Sequence, residues 1–375
     1  MSYDVPFIRP LFPSGDAIAA DLDRIVASNW FTNFGPIERE FAQAVADFVG
    51  EGHQAVTFSN ATLGLLAAVQ AVAGRGDGSR SVIVPSFTFA AGPQAIVWAG
   101  HRPLFIDIEP SSLQPSLEEA SAAIDANPGR IAAILLCNTF GIGNPRIAEW
   151  EELSARSGIP LIIDSAAGFG SRYTPERRVG DAGVCEVFSF HATKPFAIGE
   201  GGAVVTRDHE LAERLKSFSN FGFEPGSGAT QLGLNGKLQE FNAALGLRQL
   251  ADFDAAVRSR QEVLSELQSR LPTGLFRAPD NIGASSVCFG SFLLPTEALR
   301  DRALARLAAG GVEARSYYSP AVHTQPYFAE GESAGPLDVT ADVGRRIVSL
   351  PIHQEMRRAD IDRVVESLQT LETDR

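Results

Sequence analysis

The chain has 375 residues, of which 45% are apolar and 21% charged, as is typical of a globular protein large enough for two domains. Its formal net charge of -13 argues against nucleic acid or an anionic membrane as the main partner. The three cysteines are far apart in apolar runs, which indicates neither a disulfide framework nor a metal site. Because no apolar run could span a bilayer and no N-terminal signal pattern is present, we expect a soluble cytoplasmic protein.

The first residues are predicted to form an arm and two helices. Helical spacing covers Ile18–Ser28, and the aromatic segment WFTNFGP at residues 30–36 interrupts it. A second helix is predicted from about Ile37 to Val49. Phe34 lies in the aromatic segment, which either packs in the core or forms part of a pocket wall.

A strand, a small polar turn and a helix follow. The strand is Gln54–Phe58, and the sequence SNAT at residues 59–62 opens an apolar helix that reaches about Val72. Free backbone N–H groups and the helix dipole at such a start attract anions. Because Ser, Asn and Thr are also ordinary N-caps, this turn alone is a weak motif.

Strands and helices then alternate up to residue 164. The predicted strands are Ser81–Pro85, Leu104–Ile108, Ile131–Cys137 and Pro160–Asp164, and the helices between them end near Ala99 and cover Leu117–Asn127 and Arg146–Ser157. This alternation indicates βαβ units and a mostly parallel sheet. Ligands of such sheets bind beyond the carboxyl ends of the strands, where Ser86, Asp164 and Ser189 are expected.

A lysine stands between the next two predicted strands. From Glu186 to Thr206, two short apolar strands flank a glycine-bent loop, and Lys194 follows the first of them. A lysine among apolar residues is costly to keep charged, which makes it a usable amine nucleophile. Such a lysine can form a Schiff base with the aldehyde of pyridoxal phosphate, although a lone lysine is more often an exposed loop residue.

Asp164 closes the apolar strand that precedes this pair. Its carboxylate either caps the following turn or keeps a pyridine nitrogen protonated, which makes the ring an electron sink. Asp164 and Lys194 stand thirty residues apart on strands that are predicted to be neighbours. This combination points to a pyridoxal phosphate site.

The remaining elements predict a smaller second domain. We divide the chain into a large domain with the N-terminal arm, residues 1–250, and a small C-terminal domain, residues 251–375. The elements predicted after residue 206 are a helix at Leu211–Ser219, a glycine-rich loop, a helix from Leu238 toward Phe253, a helix at Asp254–Leu271, a strand at Val287–Leu294, a helix at Thr296–Ala309, a strand at Glu313–Tyr317, a helix near Asp338–Arg345 and a last helix from Ala359.

Together these segments resemble the DegT/DnrJ/EryC1/StrS family of pyridoxal phosphate-dependent sugar aminotransferases over nearly the whole chain. The matching segments are WFTNFGP, SNAT, VPSFTFAA (84–91), the Asp164 strand, SFHATK (189–194), GEGGAVVT (199–206), NFGF (220–223), GLNGKLQEFNAALGLRQL (233–250), HTQPYF (323–328) and LPIH (350–353). The strand VCEVFSFHATK, NFGF and the G-x-N-G-K loop are most similar to members that act at C4 of nucleotide-linked 4-keto-6-deoxyhexoses.

The resemblance implies an α/β protein of fold type I, similar to aspartate aminotransferase, with a mostly parallel central sheet and a smaller C-terminal α/β domain. It implies a homodimer whose active sites are built from both chains. Pyridoxal 5'-phosphate is the implied cofactor, L-glutamate the amino donor and a nucleotide sugar the acceptor. No nucleic acid or membrane is implied as a partner.

The same resemblance assigns residues to the cofactor. Lys194 resembles the lysine that forms the Schiff base, and Asp164 matches the partner of the pyridine nitrogen. The phosphate cradle is matched by Ala61, Thr62 and Ser189. Family members usually have Gly before the phosphate-binding Thr, where this chain has Ala61.

Further positions are assigned to the ring, the partner subunit and the sugar. Phe89 falls where an aromatic ring stacks on the cofactor, with Phe87 as the alternative. Asn235 matches a residue that reaches the phosphate from the partner subunit. His323, also expected from the other subunit, and Phe34 are assigned to the sugar site.

Two departures from the family pattern affect the expected site. Family members usually carry Gln, His or Glu three residues after the aspartate, in contact with the cofactor, where this chain has Ala167. Either that hydrogen bond is missing or a neighbour such as Ser165 supplies it. The loop that often reads His-Leu-Tyr-Gly is Asn138–Gly141 here, which bears on the substrate more than on the chemistry.

Other functions remain open at this point. A related branch uses the cofactor for dehydration, but there histidine replaces the lysine that this chain has at Lys194. Another ketone, such as a 3-keto sugar nucleotide or a cyclitol, could be the acceptor. A cofactor-binding regulator without catalysis would need a DNA- or partner-binding module, and none is visible. Three cations could bind the nucleotide diphosphate or be surface charges: Lys237, Arg248 and Arg315.

Overall fold

The structure is a computed structural model that describes residues 3–371. In this range the helices are α1 Gly15–Ser28, α2 Pro36–Val49, α3 Ala61–Ala73, α4 Ala91–Trp98, α5 Leu117–Ala126, α6 Ile147–Ser157, α7 His209–Ser219, α8 Glu240–Ala251, α9 Phe253–Arg270, α10 Glu297–Ala309, α11 Asp338–Arg346 and α12 Arg358–Leu368. The strands are β1 Gln54–Phe58, β2 Ser81–Pro85, β3 Arg102–Ile106, β4 Ile131–Cys137, β5 Leu161–Asp164, β6 Cys185–Ser189, β7 Gly202–Thr206, β8 Phe223–Glu224, β9 Gly228–Ala229, β10 Gly290–Leu293, β11 Glu332–Ser333 and β12 Ile347–Leu350. None of these helices is both long enough and apolar enough to span a membrane.

The central sheet has eight strands in the order β1-β7-β6-β5-β4-β2-β3-β11. Only β7 runs antiparallel to its neighbours, β1 and β6, and the other neighbouring pairs are parallel. Strands β2, β4, β5 and β6 are buried at every position, as expected of parallel strands covered on both faces. The predicted α/β fold with a mostly parallel sheet is confirmed.

Two hydrophobic clusters lie on opposite faces of the sheet. Successive side chains of a strand point to opposite faces, so Ile83 and Ile134 belong to one cluster, while Val84 and Leu135 belong to the other. The first cluster is completed by α2, α5, α6 and α8, and the second by α3, α4 and α7. The sheet is therefore the middle of three layers.

A third cluster forms the C-terminal core. It contains apolar residues of α9, α10, α12 and of the antiparallel pair β10–β12, together with Val5 and Phe7 from the N-terminal arm. The arm is attached by backbone bonds from Val5 N to Gly311 O at 3.1 Å and from Glu313 N to Val5 O at 2.9 Å. Because the cluster also includes side chains from the loops after β2, β4 and β5, it lies against the carboxyl ends of those strands.

Two C-terminal strand predictions were wrong in part or in full. Residues 313–317 form no strand and make only an isolated bridge, from Arg315 to Ser349. The strand predicted at Val287–Leu294 is shorter, Gly290–Leu293, because the buried Arg260 guanidinium binds the carbonyls of Val287 and Cys288 at 2.8 and 2.9 Å. Those carbonyls are thus not available to a neighbouring strand.

Candidate active site

The sheet brings Asp164 and Lys194 to the same edge. Asp164 is the last residue of β5, pairs with Cys137 of β4 and Val187 of β6, and is buried. Lys194 follows β6 by five residues in a turn that starts at the same edge. Its charge acts on the Asp164 carboxyl. The two residues therefore lie within electrostatic range of one another.

The Asp164 carboxyl is only partly satisfied by the protein. Its Oδ1 accepts a hydrogen bond from Ala166 N at 3.0 Å, and Oδ2 accepts none from residues 3–371. Burial raises the pKa of Asp164, while the Ala166 N–H and the Lys194 charge oppose that rise. A protonated pyridine nitrogen at Oδ2 would supply the missing donor and favour the ionised carboxylate.

Main-chain hydrogen bonds hold the loop that carries Lys194. Lys194 N donates to His191 O at 2.9 Å, and Ala192 N donates to Gly199 O at the same distance. Gly199 has a φ of 88°, a left-handed conformation that glycine adopts without a Cβ penalty. This is the glycine-bent loop that the sequence predicts, and it fixes the backbone on both sides of the lysine.

The start of α3 leaves two backbone N–H groups free. The Asn60 side chain accepts from Leu63 N at 3.0 Å, whereas the N–H groups of Ala61 and Thr62 have no acceptor within residues 3–371. Gly202 packs closely against the start of α3, because a Cβ on Gly202 would fall 2.7 Å from Ala61 N. Ser189 pairs with Gly202 in the sheet. The structure thus brings Ala61, Thr62 and Ser189 together, with donors suited to a phosphate.

The two candidate aromatic rings differ in accessibility. Phe87 is fully buried, with its ring centroid 5.7 Å from that of Phe140. Phe89 stands just before α4 and is 63% exposed. Of the two rings, Phe89 is the one that a ligand can reach.

Asn235 lies exposed near the turn that opens α3 of its own chain. Its main chain bridges to Asn220, and the next residue, Gly236, accepts from Ser59 N at 2.7 Å. Lys237 Nζ donates to Asn220 Oδ1 at 2.9 Å and lies 4.8 Å from the centroid of the Phe221 ring. The contribution of Asn235 to a partner subunit stays a prediction.

The two residues assigned to the sugar lie apart from one another. His323 Nδ1 is 2.6 Å from the oxygen of Ser86, the residue that follows β2, and burial lowers the pKa of His323. Phe34 instead lines a groove of about 250 Å³ between α2, β1 and α7, with Lys216 Nζ 5.4 Å from its ring centroid. Neither Lys194 nor Asp164 lines that groove.

The three candidate cations already have partners in the chain. Arg248 forms an ion pair with the buried Asp21, and Arg315 pairs with Glu313 at 2.7 Å. Lys237 is held by Asn220, as described above. Each side chain therefore has a structural role within its own subunit.

A buried hydrogen-bond network beside Asp164 was missed by the sequence analysis. Glu186 Oε1 accepts from the N–H groups of Gly180 and Ala182 at 2.8 and 2.9 Å. Its Oε2 accepts from Ser165 Oγ at 2.6 Å and from Tyr173 OH at 3.0 Å. Burial, which these bonds oppose, raises the pKa of Glu186 to about 7. The only sequence signal was one glutamate inside the apolar run VCEVFSF.

This network corrects the role considered for Ser165. Its hydroxyl is fully buried, donates to Glu186 and accepts from Asn138 Nδ2 at 2.8 Å. Ser165 is therefore not free to replace the side chain missing at Ala167.

The site as a whole fits pyridoxal phosphate. The free N–H groups of Ala61 and Thr62 suit the phosphate, the unpaired oxygen of Asp164 suits the pyridine nitrogen, and Lys194 supplies an amine at the same edge of the sheet. Phe89 offers an accessible ring. Each polar feature of the cofactor except the ring hydroxyl thus has a counterpart among these residues.

Comparison with known proteins gives one family. The model of the DegT/DnrJ/EryC1/StrS aminotransferase family matches residues 14–369. Protein Rv3402c of Mycobacterium tuberculosis H37Rv is 46% identical over 371 residues, which cover 98% of this chain and 90% of that protein. The Escherichia coli dTDP-4-amino-4,6-dideoxy-D-glucose transaminase is 25% identical over 372 residues, 97% of this chain and 98% of that enzyme. The crystal structure of DesI in the presence of its TDP-sugar product has a TM-score of 0.90 at 32% identity, covering 100% of this chain and 95% of DesI.

Proposed function

Since this chain belongs to the DegT/DnrJ/EryC1/StrS aminotransferase family and is a pyridoxal phosphate-dependent sugar aminotransferase, we propose that it aminates a nucleotide-linked 4-keto-6-deoxyhexose with L-glutamate as donor. The observation that carries the chemistry is the placement of Lys194 and Asp164 at one edge of the sheet, beside the free N–H groups of α3. The nucleotide sugar is supported by the relatives, whose names include a dTDP-4-amino sugar transaminase.

Different residues of the chain are assigned to different steps of the reaction. Pyridoxal phosphate, when bound, supplies the aldehyde that takes up the amino group and a ring that delocalises the electrons of the broken C–H bond. Lys194 would hold the cofactor through its amine, and the same amine would accept and return the proton of Cα of the amino donor. Asp164, through its unpaired Oδ2, would hold the pyridine nitrogen of the cofactor in its protonated form.

The second half of the reaction uses the same residues in reverse. Once the 2-oxo acid has left and the keto sugar has entered, Lys194 would deliver a proton to the sugar carbon that receives the amine. The N–H groups of Ala61 and Thr62 would hold the phosphate of the cofactor in both halves and so keep the cofactor in place. The product is an amino sugar nucleotide.

One observation supports a second class of acceptor. The Asn138–Gly141 loop differs from the family pattern, and in the structure it is buried, with the Phe140 ring stacked on Tyr318 at a centroid distance of 5.5 Å. A loop that departs from the family pattern at this edge of the sheet suits a different ketone as the acceptor, such as a 3-keto sugar nucleotide or a cyclitol. Dehydration is disfavoured, because that chemistry goes with histidine at the position of Lys194.

We also propose a homodimer whose active sites are shared. The support is a set of exposed apolar side chains on segments near the α3 turn and α8: Trp30, Phe31, Phe221, Phe223, Leu232 and Phe241. Phe31 O accepts from Glu240 N at 3.1 Å, so the N-terminal aromatic segment and α8 are adjacent. Exposed large apolar groups in such number are typical of an interface. Sedimentation velocity tests this, and a protein that stays monomeric at micromolar concentration contradicts it.

The substrate proposal is tested on the purified holoenzyme. Its visible band should bleach on addition of L-glutamate and return with 2-oxoglutarate, and a panel of 4-keto and 3-keto sugar nucleotides should then show which ketone restores the band. A visible band that does not change on addition of glutamate would contradict L-glutamate as the amino donor. If a 3-keto sugar or a cyclitol ketone restores the visible band and a 4-keto sugar does not, the proposed 4-keto acceptor is contradicted.

A further inference from the structure

The hydroxyl of Tyr318 takes no part in the hydrogen bonding of the part of the chain that the structure describes. Tyr318 lies between α10 and α11, is half-buried, and its hydroxyl has no hydrogen-bond partner among residues 3–371. Its neighbour Tyr317 differs, because the Tyr317 hydroxyl accepts from Arg315 Nη1 at 2.7 Å. Tyr173 differs as well, since it donates to Glu186. The Tyr318 hydroxyl is therefore available to a ligand.

The Tyr318 ring lies over the carboxyl ends of β2 and β4. It stacks on Phe140, which follows β4, at a centroid distance of 5.5 Å and an interplanar angle of 16°. It meets Phe87, which follows β2, nearly edge-on at 5.7 Å. Beyond Tyr318 the chain stays at this edge, where Val322 N donates to Ser86 O at 3.2 Å. The packing of the ring on two neighbouring loops fixes its position.

This position is close to Ala167, the third residue after Asp164. Gly141, the residue after Phe140, packs against the Ala167 backbone. A Cβ on Gly141 would fall 2.1 Å from Ala167 O. Burial is the main cause that raises the pKa of Tyr318 well above its ordinary value, and the negative charge of Asp164 adds to this rise. The phenol therefore stays protonated and can donate a hydrogen bond.

Three neighbouring polar side chains at this edge, those of Asn138, Ser165 and Thr88, are already engaged, whereas the buried hydroxyl of Thr139 has no partner among residues 3–371. The Asn138 amide donates to Ser165 Oγ and to Tyr173 OH, both at 2.8 Å. Ser165 donates to Glu186, and Thr88 donates to the sulfur of Cys137 at 3.2 Å. The methyl group of Ala167 can donate nothing.

The ring of pyridoxal phosphate carries a hydroxyl oxygen next to the carbon that bears the aldehyde, and this oxygen needs a donor once it is ionised. We propose that the Tyr318 hydroxyl donates a hydrogen bond to this oxygen and so makes the contact that Ala167 cannot make. The inference rests on the cofactor of the proposed function, and it is independent of which sugar or amino donor the enzyme uses.

The effect of Tyr318 on the cofactor follows from this hydrogen bond. A donor to the ionised ring oxygen stabilises the form that has lost its proton, so it lowers the pH at which the visible band of the lysine-bound cofactor titrates. Removing the donor should shift that titration upward by about one pKa unit. It should also weaken cofactor binding by about tenfold, as expected for the loss of a hydrogen bond to a charged group.

The test compares the Tyr318→Phe holoenzyme with wild type and with Tyr317→Phe as the matched control. Both variants keep the aromatic ring, so the packing on Phe140 and Phe87 is retained. The visible spectrum is recorded from about pH 5 to about pH 10, which extends up to the pKa of an ordinary phenol. Cofactor release on dilution gives its dissociation constant. We expect the upward shift and the weaker binding only in Tyr318→Phe.

Two outcomes overturn the inference. One is a Tyr318→Phe enzyme with the wild-type titration and the wild-type dissociation constant. The other is a Tyr317→Phe enzyme that changes as much as Tyr318→Phe does. Neither readout needs glutamate or a sugar, so a failure of the substrate proposal leaves the test intact. A wild-type protein that takes up no cofactor would contradict the proposed function instead.

Discussion

The hydroxyl of Ser165 donates a hydrogen bond to Glu186 Oε2 at 2.6 Å, which ties the residue after Asp164 to a fully buried carboxyl group on the next strand. Asn138 N also donates to Asp164 O at 3.0 Å, and Ser165 N donates to Val187 O at 2.9 Å. The carboxylate of Asp164 therefore stands on a backbone that is held from both neighbouring strands. Rigid support of this kind is what a charge aimed at a cofactor ring requires.

Replacing Lys194 with alanine should abolish turnover and the covalent attachment of the cofactor. The reason is that Lys194 is the amine placed at the Asp164 edge. The chain has only two other lysines, Lys216 and Lys237. Borohydride reduction of the holoenzyme followed by peptide mass analysis should place the cofactor on Lys194. Lys216→Ala is the control and should keep the label, and an active Lys194→Ala enzyme would sink the assignment.

Asp164→Asn should bind the cofactor but lose activity by about a hundredfold or more, the range seen when one preorganised electrostatic group is removed. The amide keeps the shape and the bond from Ala166 N, but it lacks the negative charge that keeps the pyridine nitrogen protonated. Single-turnover rates with glutamate measure this. A rate within a few-fold of wild type would show that the ring does not depend on this carboxylate.

Gly202→Ala should weaken cofactor binding. A Cβ at this position would stand 2.7 Å from Ala61 N and 2.8 Å from Phe188 O, so the start of α3 must move. The free N–H groups would then no longer converge on the phosphate. Equilibrium dialysis with pyridoxal phosphate measures the change. Gly283→Ala, where the added Cβ meets nothing within 4 Å, is the control and should bind as wild type does.

Glu186→Gln should change how the stability of the protein depends on pH. The folded pKa of Glu186 is raised from 4.5 to about 7, so the carboxyl is harder to ionise in the folded state than in the unfolded chain. The stability it contributes is fully present below pH 4.5 and is lost as the pH rises through about 7. A shift of this size corresponds to about 3 kcal/mol.

The measurement is urea unfolding of both proteins at several values from about pH 5 to about pH 8. Wild type should lose free energy of unfolding over this range relative to Glu186→Gln, which cannot ionise. The glutamine also loses hydrogen bonds, because its amide nitrogen cannot accept, but this cost does not depend on pH. Parallel pH curves for the two proteins would mean that Glu186 does not titrate here. Replacement of the exposed Glu330 by glutamine is the control.

Much of the site was predictable from local sequence. The apolar runs that end in Asp164 and Ser189, and the glycines around Lys194, mark strands and a tight loop by residue type alone. The start of α3 at SNAT is marked in the same way. These signals are local because the periodicity of apolar side chains reports which face of an element is buried. The cofactor and the family followed from them.

Tertiary structure decided the rest. The hydrogen bond between Ser86 and His323 joins residues 237 apart, and the bonds from Arg260 that shorten β10 act on carbonyls 27 and 28 residues away. No local pattern encodes which buried donor will reach which acceptor, because that depends on how the layers pack. The sequence therefore determined the strands, the loop, and the pair Asp164 and Lys194. Packing decided that the Ser165 hydroxyl is engaged and that the Tyr318 hydroxyl has no partner among residues 3–371.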